Sequence, residues 1–427
     1  MSKSSLALSN LRGFAIIMVV AFHSFIAYLG SQPTSPHPFD APPYGWTANP
    51  IIDSARWFGF DLFCASQYVY LMHLMFFLSG LFVWPSLLRK GTKTFLHGRV
   101  LRLGVPFILG IYVLMPIAYF PVYRVTAVDP SWSAFLAHWI ALPFSPAGPM
   151  WFLWFLLALN IAAAGLYWLA PRAGEHLGRL SVFAGTHPGR YFIALVVISA
   201  FAYIPLATVF EPWQWVELGP FSMQPSFSLQ YVIYFFAGLG MGVYGFERGL
   251  FDAEGTLARH WAGWLLGALA AFLLWIIPTA LLVQGPTELM AYTGVSVALK
   301  LVADIGFVLS SAAGCFALAA LFLRFAAAPR PLLDSLSQHA YGIYFVHYVF
   351  VIWLQYMLLD APLPAIAKAA FVFTGTLVLS WGVTAAACRS AIGARLIRGH
   401  RSALAASTLL AKGRYPDVGL SKLDSAP

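Results

Sequence analysis

Charge is what this sequence has least of. Of its 427 residues 10% are charged, with 16 Asp and Glu against 25 Lys and Arg, while 60% are hydrophobic and 16% aromatic. A soluble domain carries about a quarter of its residues as charges, so this balance excludes one and points to an integral membrane protein. Cysteine is scarce as well. Cys64, Cys315 and Cys388 have neither metal-ligand nor redox spacing, which removes the sequence case for a zinc cluster, a disulfide framework or a thiol-redox site. No metal is expected. Internal repeats and a phosphate-binding glycine loop are missing too: Gly238, Gly240 and Gly242 in AGLGMGVYG follow no strand and read as helix-packing positions. The first apolar run has no small-residue cleavage site behind it, so it reads as a retained span and not as a removed leader.

What is present is hydrophobic length. A hydrocarbon core about 30 Å thick needs about 20 apolar residues per helix. Such windows fall near 11–30, 66–88, 103–120, 149–170, 190–210, 227–246, 261–283, 299–323, 339–359 and 366–388. The expectation is an all-α polytopic membrane protein of about ten transmembrane helices, multi-pass in the cell inner membrane. Residues 1–388 would form one membrane-embedded domain with an outer loop at 31–65, and 389–427 a basic, poorly ordered cytoplasmic tail.

Ten spans place both termini on one side. If that side is cytoplasmic, Arg89, Lys90, Lys93, Arg99 and Arg102 fall in the first inner loop, and Arg172, Arg179, Arg190, Arg248, Arg259, Arg324 and Arg330 in the next three. Lys3, Arg12 and the seven basic residues of the tail join them, leaving Arg56, Arg124, Lys300 and Lys368 outside. The positive-inside rule produces this asymmetry. The net charge of +9 therefore needs no nucleic acid, and the lipid bilayer is the expected partner.

The outer loops are long and irregular. Residues 31–65 hold QPTSPHPFDAPPYG, too rich in proline for a helix, then IIDSARWFGFDLF, which fits a short amphipathic helix along the interface. Trp132 and Trp139 lie in 121–148, and Glu211, Trp213, Trp215 and Glu217 in 205–226. These residues read either as interfacial anchors or as a sugar-binding surface.

Ionisable groups at membrane depth carry the chemistry. Arg12 opens the first span in SNLRGFAIIMVVAFHS, and His23 follows eleven residues later, roughly 16 Å deeper on a helix. An intramembrane histidine is costly and marks a candidate functional site. Ser79 and Gly80 in FFLSGLFV lie roughly 14 Å from the same face, and His347 in SLSQHAYGIYFVHYVF roughly 12 Å, counting from His339. His73 sits further out. Each is also compatible with packing: a histidine can bond a neighbouring helix, a Ser-Gly step can admit one closely, and Tyr341 and Tyr344 fit packing or interface positions. In HGRVLRLGVPF, Arg99 and Arg102 are three apart on one helical face. Guanidinium forks suit phosphate oxygens, and the positive-inside rule supplies a topological alternative for the same residues.

These residues, in this order, resemble acyltransferase family 3, integral-membrane O-acyltransferases that modify periplasmic or exported glycans. The resemblance rests on Arg12 and His23 in LRGFAIIMVVAFHS, on FFLSGLFV, on Arg99 and Arg102, on WFLWFLLAL at 151–159 and on SLSQHAYGIYFVHYVF, and it runs from about residue 8 to 388. Within the family the layout and the RVLRLGVPF wording look most like the glucan biosynthesis protein C branch, associated with succinylation of periplasmic glucans. The resemblance implies a cytoplasmic acyl-CoA donor as co-substrate, a catalytic role for His23, and donor binding by Arg12, Arg99 and Arg102. Two departures are visible: Ser9 and Asn10 stand where many members carry an acidic residue, and no hydrolase-like second domain is attached.

Acyl transfer to a sugar hydroxyl needs a base for the hydroxyl proton, and neutral imidazole suits that task. The expected arrangement has the three arginines holding acyl-CoA at the cytoplasmic mouth and His23 meeting its thioester, as base or as acyl carrier. His347 would orient, relay protons or stabilise the oxyanion. The acceptor would be a glycan or lipid-linked glycan, and the acyl group acetyl or succinyl. A transporter or flippase is the alternative from another class, since it too uses mid-depth histidines. A non-enzymatic scaffold would leave the arginine and histidine placement without a purpose.

Overall fold

The computed structural model describes residues 2–170, 172–245, 249–285, 293–390 and 393; most of the expected tail at 389–427 lies outside the described residues. The chain is helical nearly throughout. Its elements are α1 (Lys3–Phe25), α2 (Phe58–Gly80), α3 (Val83–Lys90), α4 (Thr92–Thr126), α5 (Trp132–Ala141), α6 (Trp151–Leu169), α7 (Ala173–Thr186) and α8 (Pro188–Val209). A hairpin of β1 (Val216–Leu218) and β2 (Phe221–Met223) follows, then α9 (Pro225–Tyr244), α10 (Trp261–Gln284), α11 (Thr293–Phe325), α12 (Pro331–Met357) and α13 (Ala365–Ala387).

Local sequence explains where the helices begin. The Ser2 hydroxyl caps α1 by accepting from the Ser5 N–H at 3.2 Å, and Ser131 caps α5 by accepting from the Ala134 N–H at 3.2 Å. Pro188, Pro225 and Pro331 open α8, α9 and α12, where a missing N–H costs nothing. Two π-helical turns interrupt α4, at Val100–Gly104 and Gly110–Leu114. Pro106 and Pro116 follow them closely; each lacks the N–H that would continue the ladder, so the register shifts by one residue.

Among the described residues nine helices are long and apolar enough to cross a membrane. The chain is thus an all-α polytopic membrane protein. The tenth expected span lies within α12, whose 27 residues suffice in length at about 1.5 Å each. Apolarity is where it falls short of the other nine. Its Ser337, His339, His347 and Gln355 are buried, so this helix hides its polar groups against other helices and not in lipid.

α1 and α12 run parallel and form the centre. Ser9 and Ser337 meet hydroxyl to hydroxyl at 2.9 Å at one end, with Gly13 packed on Ser337; at the other end Gln355 Nε2 donates to the carbonyls of His23 (2.9 Å) and Ser24 (3.2 Å). Asn10, fully buried, donates to Ala326 O at 2.8 Å and ties α1 to the end of α11. Ser9 and Asn10 thus serve helix packing. α2 and α9 approach backbone to backbone: a β-carbon on Gly80 would collide with the Phe235 carbonyl, and on Gly238 or Gly242 with the carbonyls of Phe77 or Leu81. The Ser-Gly step is therefore a packing site, as are Gly238 and Gly242.

The loop between α1 and α2 corrects one expectation. No interfacial helix forms over 51–57; those residues are irregular and α2 begins at Phe58. Their polar groups are used for tertiary bonds. Arg56 donates to Gln32 O (2.6 Å) and Pro33 O (2.5 Å), and the wholly buried Asp53 pairs with Lys368 of α13 at 2.8 Å. Lys368 Nζ also donates to Leu359 O at 3.0 Å, so the pair clamps the loop to the far end of the bundle. Removing one member of a buried pair strands the other charge. Lys368→Ala should cost about 3 kcal/mol, read as a lowered midpoint of thermal unfolding in detergent, whereas an unshifted midpoint would show that the clamp does not hold the fold.

Candidate functional site

The eleven-residue interval between Arg12 and His23 sets their geometry on α1. At about 100° per residue it comes to about 20° past three full turns, so the two side chains share one face, roughly 16 Å apart. Arg12 is exposed and His23 half-buried, while Ala15, Ile16 and Val19 between them are buried. That face is turned toward α12, and there His23 meets His347.

The two imidazoles form a pair. Their ring centroids are 5.1 Å apart, and His347 Nε2 lies 3.4 Å from His23 Nδ1. Each ring also has its Nδ1 against a backbone carbonyl of its own helix, Val19 O at 2.8 Å for His23 and Tyr344 O at 2.6 Å for His347. A carbonyl can only accept, so both Nδ1 atoms carry the proton when the rings are neutral. His347 Nε2 then presents its lone pair to His23 Nδ1–H, and His23 Nε2 keeps its own lone pair unused. His347 is fully buried. The arrangement leaves one basic nitrogen available, on the ring that retains exposed surface.

Beyond the pair, aromatic residues lead toward the end of the bundle opposite Arg12. Tyr348 sets its ring edge-on to His23 at 5.4 Å, and its hydroxyl is 3.2 Å from that of Tyr119 in α4. Gly148, before α6, sits against both: a β-carbon there would be 3.2 Å from Tyr348 Cε1 and 3.4 Å from Tyr119 Oη, and its φ of +45° is a conformation only glycine takes freely. Trp46 of the 31–57 loop packs its ring on Tyr119 at 5.2 Å and stacks on Phe39 at 4.5 Å. Glu217, on the β-hairpin, acts electrostatically on the Tyr119 hydroxyl. Burial pushes its carboxyl up to about 7.

At the other end three guanidinium groups converge. Arg12 and Arg102 are near enough to repel one another, as are Arg99 and Arg102. Each lies over an aromatic ring: Arg12 over Phe82 at 6.0 Å, Arg99 over Phe95 at 4.9 Å and Arg102 over Tyr341 at 5.6 Å. Among the described residues none of the three has a carboxylate in ion-pair contact. The Tyr341 hydroxyl donates to Arg102 O, a carbonyl within the first π turn of α4, and the Tyr344 hydroxyl donates to Pro149 O. Tyr341 and Tyr348 are seven residues apart, two turns of α12, so one helix face connects the guanidinium cluster with the histidine pair and Tyr119.

Five of the residues singled out from the sequence therefore gather along the α1–α12 seam: Arg12, Arg99 and Arg102 at one end, His23 and His347 at mid-depth. Three others, His73, Ser79 and Gly80, belong elsewhere. His73 bonds Gln230 of α9 at 3.1 Å within an aromatic cluster that includes Tyr231, Tyr234 and Phe307, and Ser79–Gly80 faces α9 as a packing step. Tyr341 and Tyr344, read as packing or interface positions, are hydrogen-bonded links between helices. Tyr119, Gly148, Tyr348 and Gln355 went unnoticed. The one available signal was the HYVF step, where Tyr348 adjoins His347.

A family model described as an acyltransferase domain matches residues 5–385. No curated protein and no solved structure matches the chain.

Proposed function

The chain belongs to this acyltransferase family, and from that premise we propose that it is an O-acyltransferase carrying an acyl group from cytoplasmic acyl-CoA to a hydroxyl of a periplasmic or exported glycan. The observation that carries the reading is the unused Nε2 of His23, on the same helix face as Arg12 and beside a second, enclosed histidine. Arg12, Arg99 and Arg102 form a cationic mouth without acidic partners among the described residues, suited to the phosphates of coenzyme A. The thioester arm would then lie along the α1–α12 seam toward His23.

At that point His23 Nε2 takes the proton of the acceptor hydroxyl as its oxygen attacks the thioester carbonyl; the carbon–sulfur bond breaks, and the imidazolium returns the proton to the departing thiolate. Ester and free coenzyme A are the products. His347 is a positioning residue in this scheme. Its Nε2 receives His23 Nδ1–H and favours the imidazolium, holding the ring so that Nε2 faces the substrates. Acetyl and succinyl are the acyl groups we favour, and a glucan is the favoured acceptor, in line with the branch the sequence resembles. Mass spectrometry of the cell's exported glycans, with and without the gene, tests this: the proposal expects an acyl mass increment that vanishes with the gene, and identical spectra would refute it.

A further inference from the structure

The hairpin Val216–Met223 is built the wrong way round for a surface element. Its register pairs Glu217 with Ser222 and Leu218 with Phe221. Directly paired residues point to one face, so Glu217 and Ser222 share a side and Leu218 and Phe221 the other. Leu218 is 65% and Phe221 46% exposed, yet Ser222 is 5% exposed and Glu217 Oε2 is buried without a hydrogen-bond partner among the described residues. The apolar pair faces outward and the carboxyl inward.

The hairpin is held firmly in that attitude. Trp154 Nε1 donates to Ser222 O at 3.1 Å, Ser145 N donates to Gly219 O at 3.2 Å, Trp215 packs on Trp151 at 5.6 Å and Phe221 stacks on Phe107 at 5.7 Å. None of these contacts uses the Glu217 side chain. An acid directed inward with an oxygen left open disfavours the empty protein, and a glutamine or leucine would avoid that cost. Its charge reaches the Tyr119 hydroxyl, which joins Tyr348, whose ring meets that of His23.

We propose that Glu217 is an acceptor-binding residue, whose buried, unpartnered carboxyl oxygen receives a hydroxyl of a polyhydroxylated acceptor beside the one that reacts at His23. The inference rests on the proposed acyl transfer and adds what the acceptor must offer: at least one hydroxyl besides the nucleophile. A simple alcohol has none to give. A sugar has several.

The test uses the full chain in detergent with acetyl-CoA or succinyl-CoA and two acceptors, a glucose oligosaccharide and ethanol at matched hydroxyl concentration. Glu217→Ala should raise KM for the oligosaccharide about tenfold or more, leave KM for acyl-CoA within about twofold, and not alter transfer to ethanol. Glu217→Gln, which keeps an acceptor oxygen and the side chain's volume, should fall between the two. Equal oligosaccharide KM in all three proteins, or a loss shared by ethanol and acyl-CoA, overturns the assignment. Oligosaccharide acylation that survives His23→Ala removes the catalytic reading itself, a separate failure that the Glu217 variants do not produce.

Discussion

Replacing His23 by alanine lowers acyl transfer by about 10³-fold while the protein remains folded in the membrane. A positioned general base contributes typically 10²–10⁴-fold, and the other unprotonated nitrogen on the seam, His347 Nε2, belongs to a fully buried ring and is turned toward His23. The variant is also structurally mild. His23 shares its Nδ1–H between Val19 O of its own helix at 2.8 Å and His347 Nε2 at 3.4 Å, so alanine gives up only that long inter-helix contact and keeps the bonds from Gln355 to main-chain carbonyls. His347 retains its bond to Tyr344 O. His347→Gln should then give a smaller loss, about 10–10²-fold, because the ring it orients is still there. Transfer rates measured on purified protein, with thermal unfolding as the control for folding, separate the cases. Unimpaired transfer by His23→Ala would end the assignment.

The double variant Arg99→Ala, Arg102→Ala weakens acyl-CoA binding by about 10³-fold. Hydrogen bonds to charged groups are worth about 1.5–3 kcal/mol each, and two lost phosphate clamps sum to about 4 kcal/mol. The same variant carries a second expectation of opposite character. Arg102 repels both Arg12 and Arg99 in the empty protein, and no carboxylate among the described residues pairs with them. Relief of that repulsion offsets the lost contacts with the Phe95 and Tyr341 rings, so the unliganded stability should stay within about 1 kcal/mol of the parent's. Calorimetric titration with acyl-CoA reads the first effect and unfolding of the empty protein the second. Unchanged affinity together with a large loss of stability would make these arginines structural.

The fold was legible in the sequence wherever one span's composition decided it. Apolar length identified the membrane helices, and the interval from Arg12 to His23 survives as one helix face because that relation is local to α1. What escaped depends on contacts between distant segments. Asp53 and Lys368 are 315 residues apart, and each reads as an isolated outer-loop charge until α13 is laid against the loop. Glu217 looked like one of several acidic loop residues, since the hairpin register that turns it inward comes from a two-stranded sheet too short to show a pattern. The π turns in α4 did leave a trace in Pro106 and Pro116, which a helix reading that counts only apolar residues passes over. α12 was found as an apolar window at 339–359 despite its polar residues, and those same residues explain why it falls short of the other nine in apolarity.

The arginine mouth and the aromatic Tyr119–Trp46 region lie at opposite ends of the bundle, with His23 between them. The central claim is that one imidazole serves substrates arriving from the two sides. Proteoliposomes of uniform orientation, with radiolabelled acyl-CoA sealed on the Arg12 side and a glucose oligosaccharide supplied only on the other, measure this directly. The account predicts labelled oligosaccharide without any ion gradient, and none from the His23→Ala protein. Label that appears only when both substrates share the Arg12 side would contradict it.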